Sequence, residues 1–305
     1  MTQLSSYYQN KKVLITGGAG FIGSHLAEQC YNHGAYVTIL DNFSTGRHEN
    51  IAAIASGIRC ITGNITDIAT CQSATHDMDI IFHLAAYTSV TGSCEDPYLC
   101  MHTNVTGTLN ILEAARHSSV KKFIFASSAA VYGNYEGQCS EITPCNPLSP
   151  YGYSKYLGEL LCQQYAKNVP MSSVCLRYFN VYGSRQRGDL PHAGVVAHMM
   201  HCMQHQQPFT VYGNGLQKRD FVHVDDIVSA NLLFGAYLPT HCTGDVYNIA
   251  SGNSVSLMTM INTLRTQFPL YPASHITFAP ARSGDVTTSA ADCSKYRTFM
   301  KTMTA

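Results

Sequence analysis

Tyr151 and Lys155 stand four residues apart in the run Tyr151-Gly-Tyr153-Ser-Lys155, so a helical backbone places a phenol and an ammonium on one face. A tyrosine near its usual pKa of about 10 is a poor base at neutral pH, but an adjacent cation favours the phenolate. Tyr151 then becomes a candidate base for a hydroxyl proton. Alone, the run also reads as an exposed helical turn after Pro150. What surrounds it in the chain decides between the two.

The first such element is near the start. The β-branched run Lys12–Thr16 leads directly into Gly17-Gly-Ala-Gly20-Phe-Ile-Gly23, and Ser24-His25-Leu26 opens a helix. Glycines let a backbone turn tightly and approach a pyrophosphate, whose charge is met by the helix N-terminus. Asp41 closes the second strand run. A carboxylate there accepts hydrogen bonds from ribose hydroxyls and repels a 2′-phosphate, so NAD is preferred over NADP.

The elements needed to carry these groups are legible as alternation. Lys12–Thr16, Tyr36–Leu40, Ile58–Ile61, Ile80–His83, Lys122–Ser127 and Ser173–Arg177 read as strands, with amphipathic segments between most of them. Phe21–His33, Pro97–His117 and Tyr151–Asn168 are the best-defined helices. The order predicts an α/β fold with a doubly wound parallel sheet. After about Asn180 the pattern loosens into turns such as Tyr212-Gly-Asn-Gly215 and Ser251-Gly-Asn253, with shorter helices such as Asp225–Leu238. We therefore expect a dinucleotide-binding Rossmann domain over residues 1–180 and a smaller substrate lobe over 181–305, with an interleaved boundary.

Composition narrows the function. The 305 residues suffice for one large α/β unit or two joined domains, and Lys+Arg and Asp+Glu both count 19. That balance argues against nucleic acid or an acidic membrane surface as partner. The segment Met1 to Asn10 lacks the apolar stretch of a signal peptide or membrane helix, which predicts a cytoplasmic protein. Twelve cysteines are scattered with no Cys-x-x-Cys pair, so buried reduced thiols are expected. His198, His201 and His205 have helical spacing, but a partly exposed helix is the preferred reading, so no metal is expected.

Taken in order, the motifs are specific. Thr16 to Ser24, Asp41-Asn-Phe-Ser-Thr-Gly46, His83-Leu-Ala-Ala86, Asn104-Val-Thr-Gly107, Ser127-Ser-Ala-Ala-Val-Tyr-Gly133, Tyr151 to Lys155, Arg177-Tyr-Phe-Asn180, Tyr212-Gly-Asn-Gly, Arg219 to Asp226 and Arg282-Ser-Gly-Asp285 span most of the chain. The chain resembles the extended short-chain dehydrogenase/reductase superfamily, and within it the nucleotide-sugar 4-epimerases acting on UDP-glucose and UDP-N-acetylglucosamine.

The resemblance implies that Tyr151 is the base, that Lys155 holds the nicotinamide ribose and lowers the tyrosine pKa, and that Ser128 bonds the sugar hydroxyl. To NAD it assigns Gly17, Gly20, Phe21, Ile22, Gly23, Asp41, Asn42, Ser44, Thr45, Gly46, Asn64, Ile65, Leu84, Ala85, Ala86, Asn104 and Phe179, besides Tyr151 and Lys155. To the UDP-sugar it assigns Asn180, Arg219 and Arg282 for the diphosphate, Asp285 for the uridine ribose and Tyr212 for the base. Paired guanidiniums suit a diphosphate because their planar forks bind its oxygens bidentately.

A few positions refine what the resemblance implies. Relatives that dehydrate or decarboxylate the sugar carry acidic residues just after the serine, where this chain has Ala129 and Ala130. Ser289 stands where some hexose-specific relatives carry a large aromatic, which implies room for an N-acetyl group. Asn64 and Thr91 depart from the usual aspartate and proline, and relatives run a few dozen residues past Ala305. A UDP-glucuronate 4-epimerase, a nucleotide-sugar 4-reductase and a non-catalytic NAD-binding protein are the rival readings. Pairing through the helices Pro97–His117 and Tyr151–Asn168 implies a homodimer.

Overall fold

The computed structural model describes residues 2–190, 193–281 and 286–304. Seven parallel strands form one sheet in the spatial order Thr243–Ile249, Ser172–Tyr178, Lys122–Ser128, Ile80–His83, Lys12–Thr16, Tyr36–Asp41, Arg59–Thr62. The order reverses between Lys12–Thr16 and Ile80–His83, and the carboxyl ends of these two strands open a crevice at that switch point. Thr16 runs into the glycine loop there, and His83 into Leu84 and Ala85.

Alternation along the strands explains why both faces are covered. Val13 and Ile15 pack on one face with Leu26, Ala27, Ile227 and Phe234 from the helices Phe21–Asn32 and Val224–Tyr237. Leu14 points to the other face and packs with Ile81, Phe123, Ile111 and Cys162, the last two from Gly107–His117 and Pro150–Asn168. Each face therefore buries its own apolar set, as a period of two requires.

The six strands expected from the sequence are present, with ends shifted by at most one residue. Two features differ from the reading. The seventh strand, Thr243–Ile249, comes from beyond residue 180 and completes the large sheet, as does the helix Val224–Tyr237 packed on it. Pro97–His117 is not one helix: Pro97–Met101 and Gly107–His117 flank a π-helical turn at His102–Thr106.

A second sheet builds the smaller lobe from Ser254–Ser256, Lys218–His223, Thr288–Ala291 and Gln138–Cys139, with Asn180–Tyr182 also paired to Lys218–His223. Its own core gathers Met199, Phe209, Val211, Phe221 and Ile261. No helix of the described residues is long and apolar enough to cross a membrane. All twelve cysteines are free thiols, nine of them buried.

Candidate active site

The glycine loop is shaped by close approach. Gly17 has φ +70°, and a Cβ there would lie 2.8 Å from the Ala85 nitrogen, so the loop sits directly on the exit of the neighbouring strand. A Cβ on Gly23 would lie 2.1 Å from the Gly17 carbonyl oxygen, which lets the helix Phe21–Asn32 begin hard against the turn. Gly20 is the N-cap and no side chain caps this helix. Its first N–H groups therefore lack a side-chain acceptor, as an anion site at a helix N-terminus requires.

Asp41 is 8% exposed and binds the same loop: its carboxylate accepts the Ala19 N–H at 2.9 Å and the Phe43 N–H at 2.8 Å. Gly46 passes so near that a Cβ would meet an Asp41 oxygen at 3.0 Å. Asn42 holds Ser44, accepting from its N–H at 3.0 Å and its hydroxyl at 2.8 Å, while Thr45 is exposed on the same loop. Phe21, Ile22, Leu84, Ala85 and Ala86 are half-buried around this crevice. The cradle fits a dinucleotide: glycines leave the phosphate path open and a carboxylate waits at the ribose position.

Not every expected cofactor residue presents its side chain there. Asn64 is exposed and accepts the Thr66 N–H at 3.1 Å in a local turn. Ile65 is a core residue over Gly107, whose Cβ would lie 2.5 Å from its Cδ1. Phe179 is buried beside Val131 and Tyr132. Asn104, in the π turn, is 2% exposed and brackets Tyr87, accepting its N–H at 2.7 Å and donating to its carbonyl at 3.0 Å.

Tyr151 lies in the first turn of Pro150–Asn168. Ser149 caps this helix by accepting the Gly152 N–H at 3.1 Å, and Pro150 occupies the first position, where a missing N–H costs nothing. Gly152 is required by proximity, since its Cβ would lie 2.7 Å from the Ala130 carbonyl oxygen. The helix thus lies against the turn Ala129–Tyr132, which sets the Ser128 hydroxyl beside the Tyr151 phenol. Lys155, 4% exposed, donates to the Ala126 carbonyl at 2.8 Å, and its Nζ sits 6.0 Å from the centre of the Tyr151 ring. Ser128, Tyr151 and Lys155 therefore converge at the carboxyl end of Lys122–Ser128.

Electrostatics here differ from the expectation. Burial raises the Tyr151 pKa above its ordinary value; the Ser128 hydrogen bond offsets part of this and the neighbouring Cys100 adds to it. Burial also lowers Lys155 to about 8, against the opposing pull of Cys100 and Cys162. Desolvation dominates, so the phenol is raised rather than lowered.

The described residues expected to hold the substrate lie on the small lobe. Arg219 and Ser289 are register partners on adjacent parallel strands. Asn180 pairs with Phe221 and donates to the Asp220 carbonyl at 3.0 Å. Tyr212 is half-buried at the turn after Phe209–Tyr212, where Gly213 has φ +81°. Arg282 and Asp285 lie outside the described residues. Among the described residues no group of three or more His, Cys, Asp or Glu side chains could hold a metal ion.

Sequence reasoning missed a buried ion pair that braces the site. Glu159 accepts from Arg177 at 2.8 and 2.7 Å and from Ser127 at 2.5 Å, with both charged residues at most 3% exposed. Burial works against the Arg177 charge, but Glu159 outweighs it and holds the guanidinium protonated. The pair ties Pro150–Asn168 to the sheet. Its only signal in the sequence was an Arg in the short run Ser172–Tyr178, whose other residues carry no charge.

Comparison with known proteins agrees with this geometry. The model of the NAD dependent epimerase/dehydratase family matches residues 13–250. A putative UDP-glucose 4-epimerase of Methanocaldococcus jannaschii is 38% identical over 259 residues, covering 83% of this chain and 81% of that protein. A UDP-N-acetyl-alpha-D-glucosaminuronate decarboxylase of Bacillus cytotoxicus is 37% identical over 254 residues, covering 81% and 77%. Among solved structures, the UDP-N-acetylglucosamine 4-epimerase of Methanobrevibacter ruminantium M1, in complex with UDP-N-acetylmuramic acid, superimposes with a TM-score of 0.89 at 32% identity, covering 95% of this chain and 92% of that one.

Proposed function

The chain belongs to the NAD-dependent epimerase/dehydratase family, with NAD as its cofactor, and we propose that it interconverts UDP-N-acetylglucosamine and UDP-N-acetylgalactosamine, and also UDP-glucose and UDP-galactose, by inverting carbon four. The observation that carries this reading is the convergence of Ser128, Tyr151 and Lys155 beside the glycine loop, followed by Ala129 and Ala130. Methyl side chains have no proton to give or take, so the eliminations and decarboxylations of sister enzymes lack their extra acid or base.

The glycine loop and Asp41 would hold NAD, which would supply the hydride acceptor and donor for carbon four. The residues of this chain handle everything else. Tyr151 takes the proton of the 4-hydroxyl and gives it back, with Ser128 orienting that oxygen. Lys155 supplies fixed positive charge in a desolvated site, where it acts strongly on a developing phenolate. Arg219 and Asn180, joined in the proposal by Arg282, Asp285 and Tyr212, hold the UDP so that the sugar alone rotates. Ser289, opposite Arg219, supports an N-acetyl group because its side chain is small.

A cytoplasmic homodimer completes the proposal. Tyr98, Leu99, Leu109, Tyr153 and Leu160 are 41 to 79% exposed on the helices flanking the π turn and on Pro150–Asn168, an apolar face consistent with pairing of two copies. The function is tested by proton NMR of UDP-N-acetylglucosamine, UDP-glucose and UDP-glucuronate, each incubated with protein as purified. The expected result is the 4-epimer of the first two, absent with Tyr151→Phe. Turnover of UDP-glucuronate alone, or of none with NAD supplied, contradicts the reading.

A further inference from the structure

Between the cofactor loops and the helix bearing Tyr151 runs a series of buried hydrogen bonds whose directions are all determined. The Thr16 hydroxyl oxygen accepts the N–H groups of Leu84 at 3.2 Å and Ala85 at 3.1 Å. The Leu84 N–H is shared with the Thr16 backbone carbonyl, also at 3.2 Å, and the hydroxyl's own proton goes to His83 Nδ1, 2.7 Å away. On the far side of the ring, the Thr108 hydroxyl donates to the Asn104 carbonyl at 2.5 Å, so its oxygen accepts from His83 Nε2 at 3.0 Å. Both neighbours select the same neutral tautomer, with the proton on Nε2.

From Asn104 the series continues in the same sense. Its side-chain nitrogen donates to Ser154 Oγ at 2.8 Å, and Ser154 Oγ donates to the Tyr151 carbonyl at 2.7 Å. His83 is 1% exposed, so a second proton on the ring would be desolvated and would compete with the Thr16 hydroxyl proton. Burial first, and the nearby Lys155 second, hold the ring neutral with its pKa lowered to about 3. The π turn has a role in this arrangement, because it carries Asn104, which both receives the bond from Thr108 and passes one on.

We infer that this relay of hydrogen bonds registers Tyr151 against the dinucleotide crevice, with His83 as its single-tautomer joint and Thr16, Thr108 and Ser154 as positioning residues. Leu84 and Ala85, at one end, border the glycine loop; Tyr151, at the other, is the proposed base. A displacement of order an ångström between the two is enough to slow proton and hydride transfer. The inference rests on the proposed role of Tyr151. His83 also packs with its ring centre 5.8 and 5.9 Å from those of Phe123 and Phe125, so the test must separate register from mere packing.

Two measurements on the NAD-loaded full chain do so. Ring ¹⁵N NMR of labelled histidine is expected to show His83 as the neutral Nε2–H tautomer from about pH 5.5 to about pH 8. An imidazolium or the Nδ1–H tautomer overturns the relay, whether or not the protein epimerises any sugar. Thr108→Val removes one joint while keeping the shape, and kcat is expected to fall about 10- to 100-fold with KM and bound NAD within about twofold and Thr108→Ser restoring the rate. A kcat within about twofold of wild type, or a loss accounted for by less loaded or less folded protein, overturns it. A wild-type protein that turns over no UDP-sugar defeats the proposed function instead, and the tautomer then judges the relay by itself.

Discussion

Tyr151 illustrates how little of a base's strength lies in its own side chain. Burial alone makes the phenol harder to ionise than in water, and the Ser128 hydrogen bond only partly offsets this. In its proposed role as base, what remains to favour the phenolate is positive charge held in a dry site, which Lys155 supplies. The identity and spacing of the pair were legible in the sequence, because four residues in a helix bring side chains together. The competing desolvation was not, since it depends on what the fold packs around them. Ser289 makes the matching point for substrate choice. Its place beside Arg219 puts a small side chain on the small-lobe strand that faces the proposed diphosphate residues. Ser289→Tyr is expected to lower kcat/KM for UDP-N-acetylglucosamine by about tenfold or more, with UDP-glucose unchanged within about twofold. Steady-state assays on both sugars check it, and equal effects on the two would remove Ser289 as a specificity residue.

At the scale of elements, the glycine loop is a constraint of distance. A Cβ on Gly23 would stand 2.1 Å from the Gly17 oxygen and 2.9 Å from Gly18 Cα, both backbone atoms that cannot swing aside. Gly23→Ala must therefore push the helix Phe21–Asn32 away from the turn. NAD affinity is expected to fall by about tenfold or more, measured by titration of the cofactor-stripped protein. Unchanged affinity would show that the helix start does not hold the dinucleotide.

The central strands were readable because burial on both faces demands uninterrupted β-branched runs. Thr243–Ile249 escaped because it is the edge of its sheet, interrupted by Gly244 at φ +80° and a register shift, and carries Asp245 and Asn248. The π turn at His102–Thr106 left no trace in apolar periodicity. It shows only in what Asn104 touches, and those partners are 17 and 50 residues away. The helix Thr2–Tyr8 was read as a polar start; its anchor is Tyr8, fully buried and donating to the Leu232 carbonyl at 2.8 Å.

In the proposed function the whole molecule divides its labour between a large sheet that positions the cofactor and base, and a small lobe that meets the UDP-sugar. The lobes are not consecutive stretches of chain, because Thr243–Ile249 returns to the large sheet after the small lobe has begun. That return ties the two halves of the site to one core. The exposed apolar face of the paired helices belongs to the same scale. Leu160→Glu is expected to convert the proposed dimer to a particle of one chain mass, 33.4 kDa, by light scattering. A wild type that is already monomeric at micromolar concentration would contradict the dimer.

The central claim, that one site removes and returns the same hydride at carbon four, is tested most directly with UDP-N-acetylglucosamine deuterated at that carbon. The expected product is UDP-N-acetylgalactosamine that keeps its deuterium at carbon four and, in the reverse labelling, gains none from heavy water. Loss of the label to solvent, or an epimer formed by proton exchange at another carbon, would contradict the account.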